Sequence, residues 1–278
     1  MTNVAVITGA ASGLGLALAK ACALENQHVV MVDINKSTLD RRVHEVAELT
    51  NTDVIGMLCD VTHQEQVNHL AKHTFERFTR IDLLINNAGI MGPLAPIWEI
   101  GIEPIRQVID VNMYGVLHGV QAFLPFLFKQ NHRSHIVNMA SFYGLCSGSQ
   151  IAAYAMSKHA IVALSESLYF DLNRLQKPVD VSVACPSFIS TPLLQHSAPE
   201  TGSDFHHQIS SLLERSRPAE DVAESMMREI KNKTFYILPD SEVKNYYEQH
   251  AKAVIDQTMP HEHSLEKIFR SLGKRCGT

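Results

Sequence analysis

The chain of 278 residues lacks any apolar run approaching the roughly 18 residues that a spanning helix needs. It also lacks an excess of basic charge. Lysine and arginine number 24 against 29 aspartates and glutamates, a formal net charge of −5, and no basic stripe breaks that balance. Nucleic acid is therefore not expected as a partner. No two cysteines have CxxC spacing, and the five present (Cys22, Cys59, Cys146, Cys185, Cys276) are an odd number. They read as free thiols in a reducing, cytoplasmic compartment. The fifteen histidines, among them His132, His135, His196, His206 and His207, show no HExxH or other ligand spacing, so no metal site is expected. Residues 1–8 carry no basic n-region and meet a glycine-rich turn at once, which argues against a secretory signal. Linkers rich in Pro, Gly or Ser are absent, as are internal repeats, so one domain is expected despite the length.

Hydrophobic residues at 45% and charged residues at 19% fit an ordinary globular chain able to build a core without staples. Short apolar runs alternate with longer amphipathic segments. Val4–Thr8, His28–Asp33, Val54–Leu58, Asp82–Asn86, Ser134–Met139, Val179–Cys185 and Thr234–Leu238 read as strands. Leu14–Leu24, Ser37–Leu49, Glu65–Phe78, Tyr154–Leu175 and Pro218–Lys231 read as helices, and Ile102–Phe128 as one or two more. Continuous apolar strands alternating with helices predict a doubly wound α/β fold. It is a parallel sheet of about seven strands between two helical layers. Two parts break the rhythm. Ser187–Gln208, with Pro192, Pro199 and Gly202, reads as a mobile lid. Beyond the domain at 1–240, the extension 241–278 is polar, with helices expected around Glu242–Thr258 and Ser264–Leu272.

Between the first strand and the first helix lies Thr8-Gly9-Ala10-Ala11-Ser12-Gly13-Leu14-Gly15. Gly9 permits a tight turn, Gly13 lets backbone approach a pyrophosphate, and Gly15 lets helix and strand pack closely. The helix N-terminus then offers N–H groups and partial positive charge to phosphates. Asp33 ends the second strand, 20 residues after Gly13, where a carboxylate can accept from the ribose hydroxyls of an adenosine. It would repel a 2′-phosphate, so NAD is favoured over NADP, with Lys36 as the counterargument. Asp60 follows the third strand and, with Thr62, reads as a cap for the helix starting near Gln64.

Tyr154 and Lys158 stand four apart in a helical segment and so share one face. A tyrosine titrating near 10 must be lowered by about three units, on the order of 4 kcal/mol, to act as a base near neutrality. An ammonium about 4 Å away supplies that order of energy. Ser141 follows the fifth strand, where a hydroxyl can polarise a carbonyl or orient an alcohol. Asn112 falls in the middle of a helical stretch, where asparagine is a poor fit, and this points to a kink.

In order and spacing, these residues resemble the single-domain short-chain dehydrogenase/reductase family over about residues 3–240. The match comprises TGAASGLG at 8–15, Asp33, Asp60-Val61, NNAG at 86–89, Asn112, Ser141, Tyr154-x-x-x-Lys158 and Pro186 through Thr191. The resemblance implies a Rossmann-type fold, with Tyr154 as proton acceptor or donor and Lys158 lowering its pKa and binding the nicotinamide ribose. Ser141 would position the substrate oxygen, and Asn112 would hold a water. It also implies cofactor contacts from Gly9, Ser12, Gly13, Leu14 and Gly15, from Asp60 and Val61 at the adenine, from Asn87, Ala88 and Gly89, and from Pro186, Ile189 and Thr191 at the nicotinamide end. Helices around 113–130 and 154–175 would form a dimer interface, commonly doubled into a tetramer. The family's Pro-Gly after the sixth strand is Pro186-Ser187 here. By position, Met91-Gly92-Pro93, Phe142 through Cys146, Phe188 and Leu193-Leu194 would line an apolar substrate pocket. The expectation is an NAD-dependent oxidoreductase for a small hydrophobic secondary alcohol or its ketone. An NADP-linked ketoreductase and a non-catalytic dinucleotide sensor are the alternatives.

Overall fold

Seven parallel strands carry the chain across the molecule in the order β3-β2-β1-β4-β5-β6-β9. The computed structural model describes residues 2–194, 211, 213–262 and 266–267. The strands are β1 (Val4–Thr8), β2 (His28–Asp33), β3 (Val54–Leu58), β4 (Leu83–Asn86), β5 (Ser134–Met139), β6 (Val179–Ala184) and the short β9 (Tyr236–Ile237). Between them run α1 (Gly13–Leu24), α2 (Lys36–Ala47), α3 (Gln64–Phe78), α4 (Ile102–Ile109), α5 (Gly115–Leu127), α6 (Ala152–Arg174) and, before β9, α7 (Ala219–Lys231). This is the expected doubly wound architecture, with most boundaries within two residues of those read from the pattern.

The central strands β1, β4 and β5 are buried at every position, as sheets covered on both faces require. Edge strand β3 is only partly buried. One core layer packs β1 and β2 against α1, α2 and α7, and the other packs the opposite face against α3, α5 and α6. α1 is apolar around most of its circumference because the sheet covers one side and α7 the other. α7 carries Glu220 and Asp221 in its first turn and Arg228 and Lys231 in its last, matching the helix dipole.

The stretch 102–128 resolves into α4, a π-helical turn at Asp110–Tyr114, and α5. Part of the expected lid is regular: β7 (Ile189–Ser190) pairs with β8 (Arg217–Pro218), and Pro192–Leu194 form a 3₁₀ turn. The remainder of that loop, 195–208, lies outside the described residues. In the extension, α8 (Ser241–Ile255) is present, while most of the helix expected at 264–272 lies outside the described residues. Among the described residues, no helix is long and apolar enough to cross a membrane, and no cluster of side chains could hold a metal. Cys22, Cys59, Cys146 and Cys185 are free and buried.

Candidate active site

Parallel strands place all their carboxyl ends on one edge of the sheet, and between β1 and β4 the winding reverses, opening a crevice there. The sequence motifs sit on this edge. After β1, Gly9 and Gly13 adopt φ of +66° and +52°, conformations that favour glycine. A Cβ on Gly15 would lie 2.1 Å from the Gly9 carbonyl oxygen and 2.5 Å from Asn87 Nδ2, so helix and turn meet with no room for a side chain. Ser12 is the exposed N-cap of α1 but makes no side-chain cap bond, and the first turn has no acidic residue; Leu14 is buried behind it. The helix thus presents its N-terminal N–H groups and dipole unclaimed by its own side chains.

Thr8 stitches this turn to the loop after β4. Its Oγ1 accepts from the Asn87 and Ala88 N–H groups (2.9 and 3.0 Å), and its carbonyl accepts from Asn87 Nδ2 (2.9 Å). Gly89 follows, and a Cβ there would stand 3.2 Å from Asn112 Oδ1 and 3.5 Å from Lys158 Nζ. Asp33 is held by two backbone donors, Ala11 N–H (3.0 Å) and Asn35 N–H (3.0 Å). Lys36 pairs with Asp40 at 2.7 Å on the surface. Thr191 leans on the glycine-rich turn: a Cβ on Gly13 would meet its Cβ and Cγ2 at 3.2 Å. Ile189 is buried and pairs with Arg217, and the carbonyl of buried Pro186 accepts from Phe142 N–H at 2.8 Å.

Asp60 differs from the expectation. Its Oδ1 accepts from Thr62 N–H (2.9 Å) and Oγ1 (2.7 Å), while the N-cap of α3 is His63, with no side-chain bond. The carboxylate closes a turn one step ahead of the helix, so neither Asp60 nor Thr62 caps it. Val61 is buried under Gly115, where an added Cβ would sit 2.7 Å from Val61 Cγ2.

Tyr154 and Lys158 project from the N-terminal half of α6, and Ser141 caps the 3₁₀ turn Phe142–Gly144, accepting from Tyr143 N–H at 3.2 Å. All three are buried. Lys158 Nζ lies 5.4 Å from the centre of the Tyr154 ring and donates to the Met139 carbonyl (2.9 Å). Burial pushes the Tyr154 hydroxyl up to about 12, opposed by a hydrogen bond with Ser141, and pushes Lys158 down to about 8. This direction is opposite to the lowering by Lys158 that the sequence reading expects. The cation rides over the ring face and is itself desolvated, and burial is the largest influence on the hydroxyl.

Asn112 lies in the π turn with its side chain fully enclosed. Its Oδ1 accepts from Ile90 N–H (2.8 Å), and its Nδ2 donates to the Ile90 carbonyl (2.9 Å) and to Ser157 Oγ (3.0 Å). Ser157 Oγ in turn donates to the Tyr154 carbonyl (2.7 Å). The misfit that the sequence shows as an asparagine inside a helix is a backbone bulge tied to the turn of α6 that carries Tyr154. Ser157 was missed because a serine in a helix carries no such signal.

Around Tyr154 are Met91, Phe142, Tyr143, Leu145, Cys146 and Ile151, all buried, with Phe188 and Leu193 packed against them. Cys146 is a packing residue: its Sγ contacts the Phe142 carbonyl at 3.6 Å, and burial pushes its thiol up to about 12. The C-terminal helix adds Val243 and Tyr246 to this cluster, which the sequence reading did not include.

These residues fit a dinucleotide. The close-packed glycines, the uncapped α1 N-terminus and the Asp33 carboxylate would hold its pyrophosphate and adenosine ribose. Lys158, Thr191 and Gly89 would flank the reacting end.

A family profile described as short chain dehydrogenase matches residues 3–202. The 1-deoxy-11-beta-hydroxypentalenate dehydrogenase of Streptomyces exfoliatus is 37% identical over 246 residues, 87% of this chain and 85% of that protein. The 15-hydroxyprostaglandin dehydrogenase [NAD(+)] of Mus musculus is 32% identical, covering 69% of this chain and 70% of its own. A short chain dehydrogenase/reductase from Burkholderia phymatum, crystallised in complex with NAD, superposes with a TM-score of 0.89. It has 32% identity and covers 94% of this chain and 97% of its own. Fold, motif order and relatives agree: the chain belongs to the short-chain dehydrogenase/reductase family, an oxidoreductase acting on CH–OH groups.

Proposed function

We propose that the protein interconverts an apolar secondary alcohol and its ketone using NAD, with Tyr154 exchanging the hydroxyl proton. The observation that carries this reading is the Tyr154–Ser141–Lys158 cluster, buried among aromatic and aliphatic side chains. When bound, NAD supplies the hydride acceptor. The chain's own residues do the rest. Ser141 fixes the substrate oxygen beside the Tyr154 hydroxyl, and Tyr154 takes the proton in oxidation or gives it in reduction. Lys158 keeps a donor under the ring, and the apolar wall excludes water. Asp33, with both oxygens anchored by backbone donors, supports NAD over NADP, and Lys36 is engaged elsewhere. The NAD bound in the Burkholderia structure and the NAD(+) in the name of the mouse enzyme point the same way. Exposed Tyr114, Phe128, Met156, Tyr169 and Phe170, on or flanking α5 and α6, support a homo-oligomer.

The test is turnover with NAD⁺ and with NADP⁺ over short aliphatic, aromatic, sugar-like and steroidal secondary alcohols, with Tyr154→Phe as control. Activity on an apolar class, better with NAD⁺ and reduced about 10²–10⁴-fold in the variant, is expected. Tighter NADP⁺ binding, or turnover that survives Tyr154→Phe, overturns the reading.

A further inference from the structure

The serine that replaces the family's glycine after Pro186 is joined to the C-terminal helix. Ser187 N–H donates to Asp240 Oδ2 (2.9 Å), and Ser187 Oγ donates to Glu242 Oε1 (2.9 Å). Asp240 is buried, its side chain only 4% exposed, and its Oδ1 receives Arg217 Nη1 at 2.6 Å. The same nitrogen donates to the Pro239 carbonyl (2.9 Å), and the Arg217 backbone pairs with Ile189. Residues 187–189, 217 and 239–242 thus form one knot at the start of α8. A lone buried carboxylate would be unstable, and here charge and hydrogen bonds satisfy both its oxygens.

The knot fixes where α8 lies. Within its first two turns Val243 is fully buried, and the half-buried Tyr246 places its ring 5.2 Å from that of Phe142. Phe142 follows Ser141 and meets Tyr143 at 4.8 Å and Phe188 at 6.5 Å; Tyr143 packs edge-on to Tyr154 at 6.4 Å. The extension makes a second contact on this side, where Glu266 Oε1 accepts from Ser149 N–H at 2.7 Å. α8 lies beyond the residues that the family profile matches.

We propose that Tyr246 is a specificity-determining residue that limits the bulk of the carbon skeleton admitted beside Tyr154, and that Asp240, with Ser187 and Arg217, is the positioning group that holds it there. This rests on the alcohol–ketone reading above. A rigid aromatic ring on a pinned helix discriminates by volume, and an apolar wall sorts substrates by modest factors per methylene.

The experiment is kcat/KM with NAD⁺ across secondary alcohols graded from short-chain to polycyclic, for wild type, Tyr246→Ala, Tyr246→Phe and Asp240→Asn. Tyr246→Ala is expected to raise the polycyclic-to-short-chain ratio by about 10- to 100-fold while the KM for NAD⁺ moves less than about twofold. Tyr246→Phe, which keeps the ring, should hold the wild-type ratio within about threefold. Asp240→Asn should shift the ratio in the same direction by less, and the double variant should not exceed Tyr246→Ala alone, because the knot acts through the ring. If Tyr246→Ala does not fold, Tyr246→Leu reads the same ratio. Equal scaling of every alcohol, or a change confined to the KM for NAD⁺ or to Tm, overturns the proposal while leaving the alcohol–ketone reading intact. A wild-type chain inert toward the whole series overturns that reading, and this proposal with it.

Discussion

For Tyr154, ionisation is a contest between burial, which favours the neutral phenol, and the hydrogen bond with Ser141, which favours the phenolate. Burial wins, so the hydroxyl is protonated at neutral pH and ready to donate to a carbonyl. Alcohol oxidation needs the opposite form. Its rate should therefore rise with pH, while ketone reduction should stay flat through neutrality and fall only in the alkaline range. Ser141→Ala removes a hydrogen bond that lowers this pKa, so the rising limb for oxidation should move upward. Full pH profiles of both directions check this, and a limb displaced downward would contradict it. Spacing made Tyr154 and Lys158 legible, because four residues along a helix is one face. It could not give the sign of the shift, which depends on how much water the fold removes.

Among the elements, the junction of β1 and α1 is the tightest. Gly15→Ala would drive a methyl against the Gly9 carbonyl and Asn87, both tied into the backbone network of Thr8. A loss of about 1–3 kcal/mol in urea unfolding and weaker NAD binding by titration calorimetry are expected. Gly56→Ala is the contrast. On partly buried edge strand β3, its new methyl would meet the side chains Val43 Cγ2 at 2.9 Å and Leu39 Cγ at 3.3 Å and no backbone, and a smaller loss of about 1 kcal/mol with unaltered NAD affinity is expected. The glycine spacing was readable because only glycine meets such contacts. The π turn was readable only as a misfit, because Asn112 shows its three partners only once Ile90 and Ser157 come alongside. Asp60 misled for a local reason: a carboxylate four residues before a helix suits a cap or a turn equally well.

In the molecule as a whole, burial writes a pH dependence into stability. His135, on β5, has its Nε2 2.7 Å from Ser182 Oγ on β6, and that hydroxyl donates to the Thr234 carbonyl. Burial pushes this histidine from 6.5 down to about 4. The unfolded chain therefore binds a proton there more readily than the folded one. Stability falls as pH drops from about 6.5 to about 4, by on the order of 3 kcal/mol at most, and is level below. Urea unfolding at pH 7 and pH 4.5 should show a smaller acid loss in His135→Gln than in wild type. Assembly is the other whole-molecule property. Phe170 and Met156 stand exposed on α6, and Phe170→Glu should lower the sedimentation mass from an oligomer to a smaller species. A monomeric wild type would contradict that expectation.

The amino-acid sequence by itself determined the alternation of strands and helices, the glycine-rich turn, and the Tyr154–Lys158 pair. Each is a local pattern, set by the strand repeat, by the space that only glycine leaves, or by the helical turn. The tertiary structure alone decided the rest. It set the direction in which the Tyr154 pKa moves, because burial is a property of the packed molecule. It joined Asn112 to Ser157 and Ser187 to Asp240, because these partners lie 45 and 53 residues apart and meet only when the sheet is wound. And it packed the C-terminal helix against Phe142 in the cluster that holds Tyr154, because the side of the fold on which an extension packs depends on groups far from it in the chain.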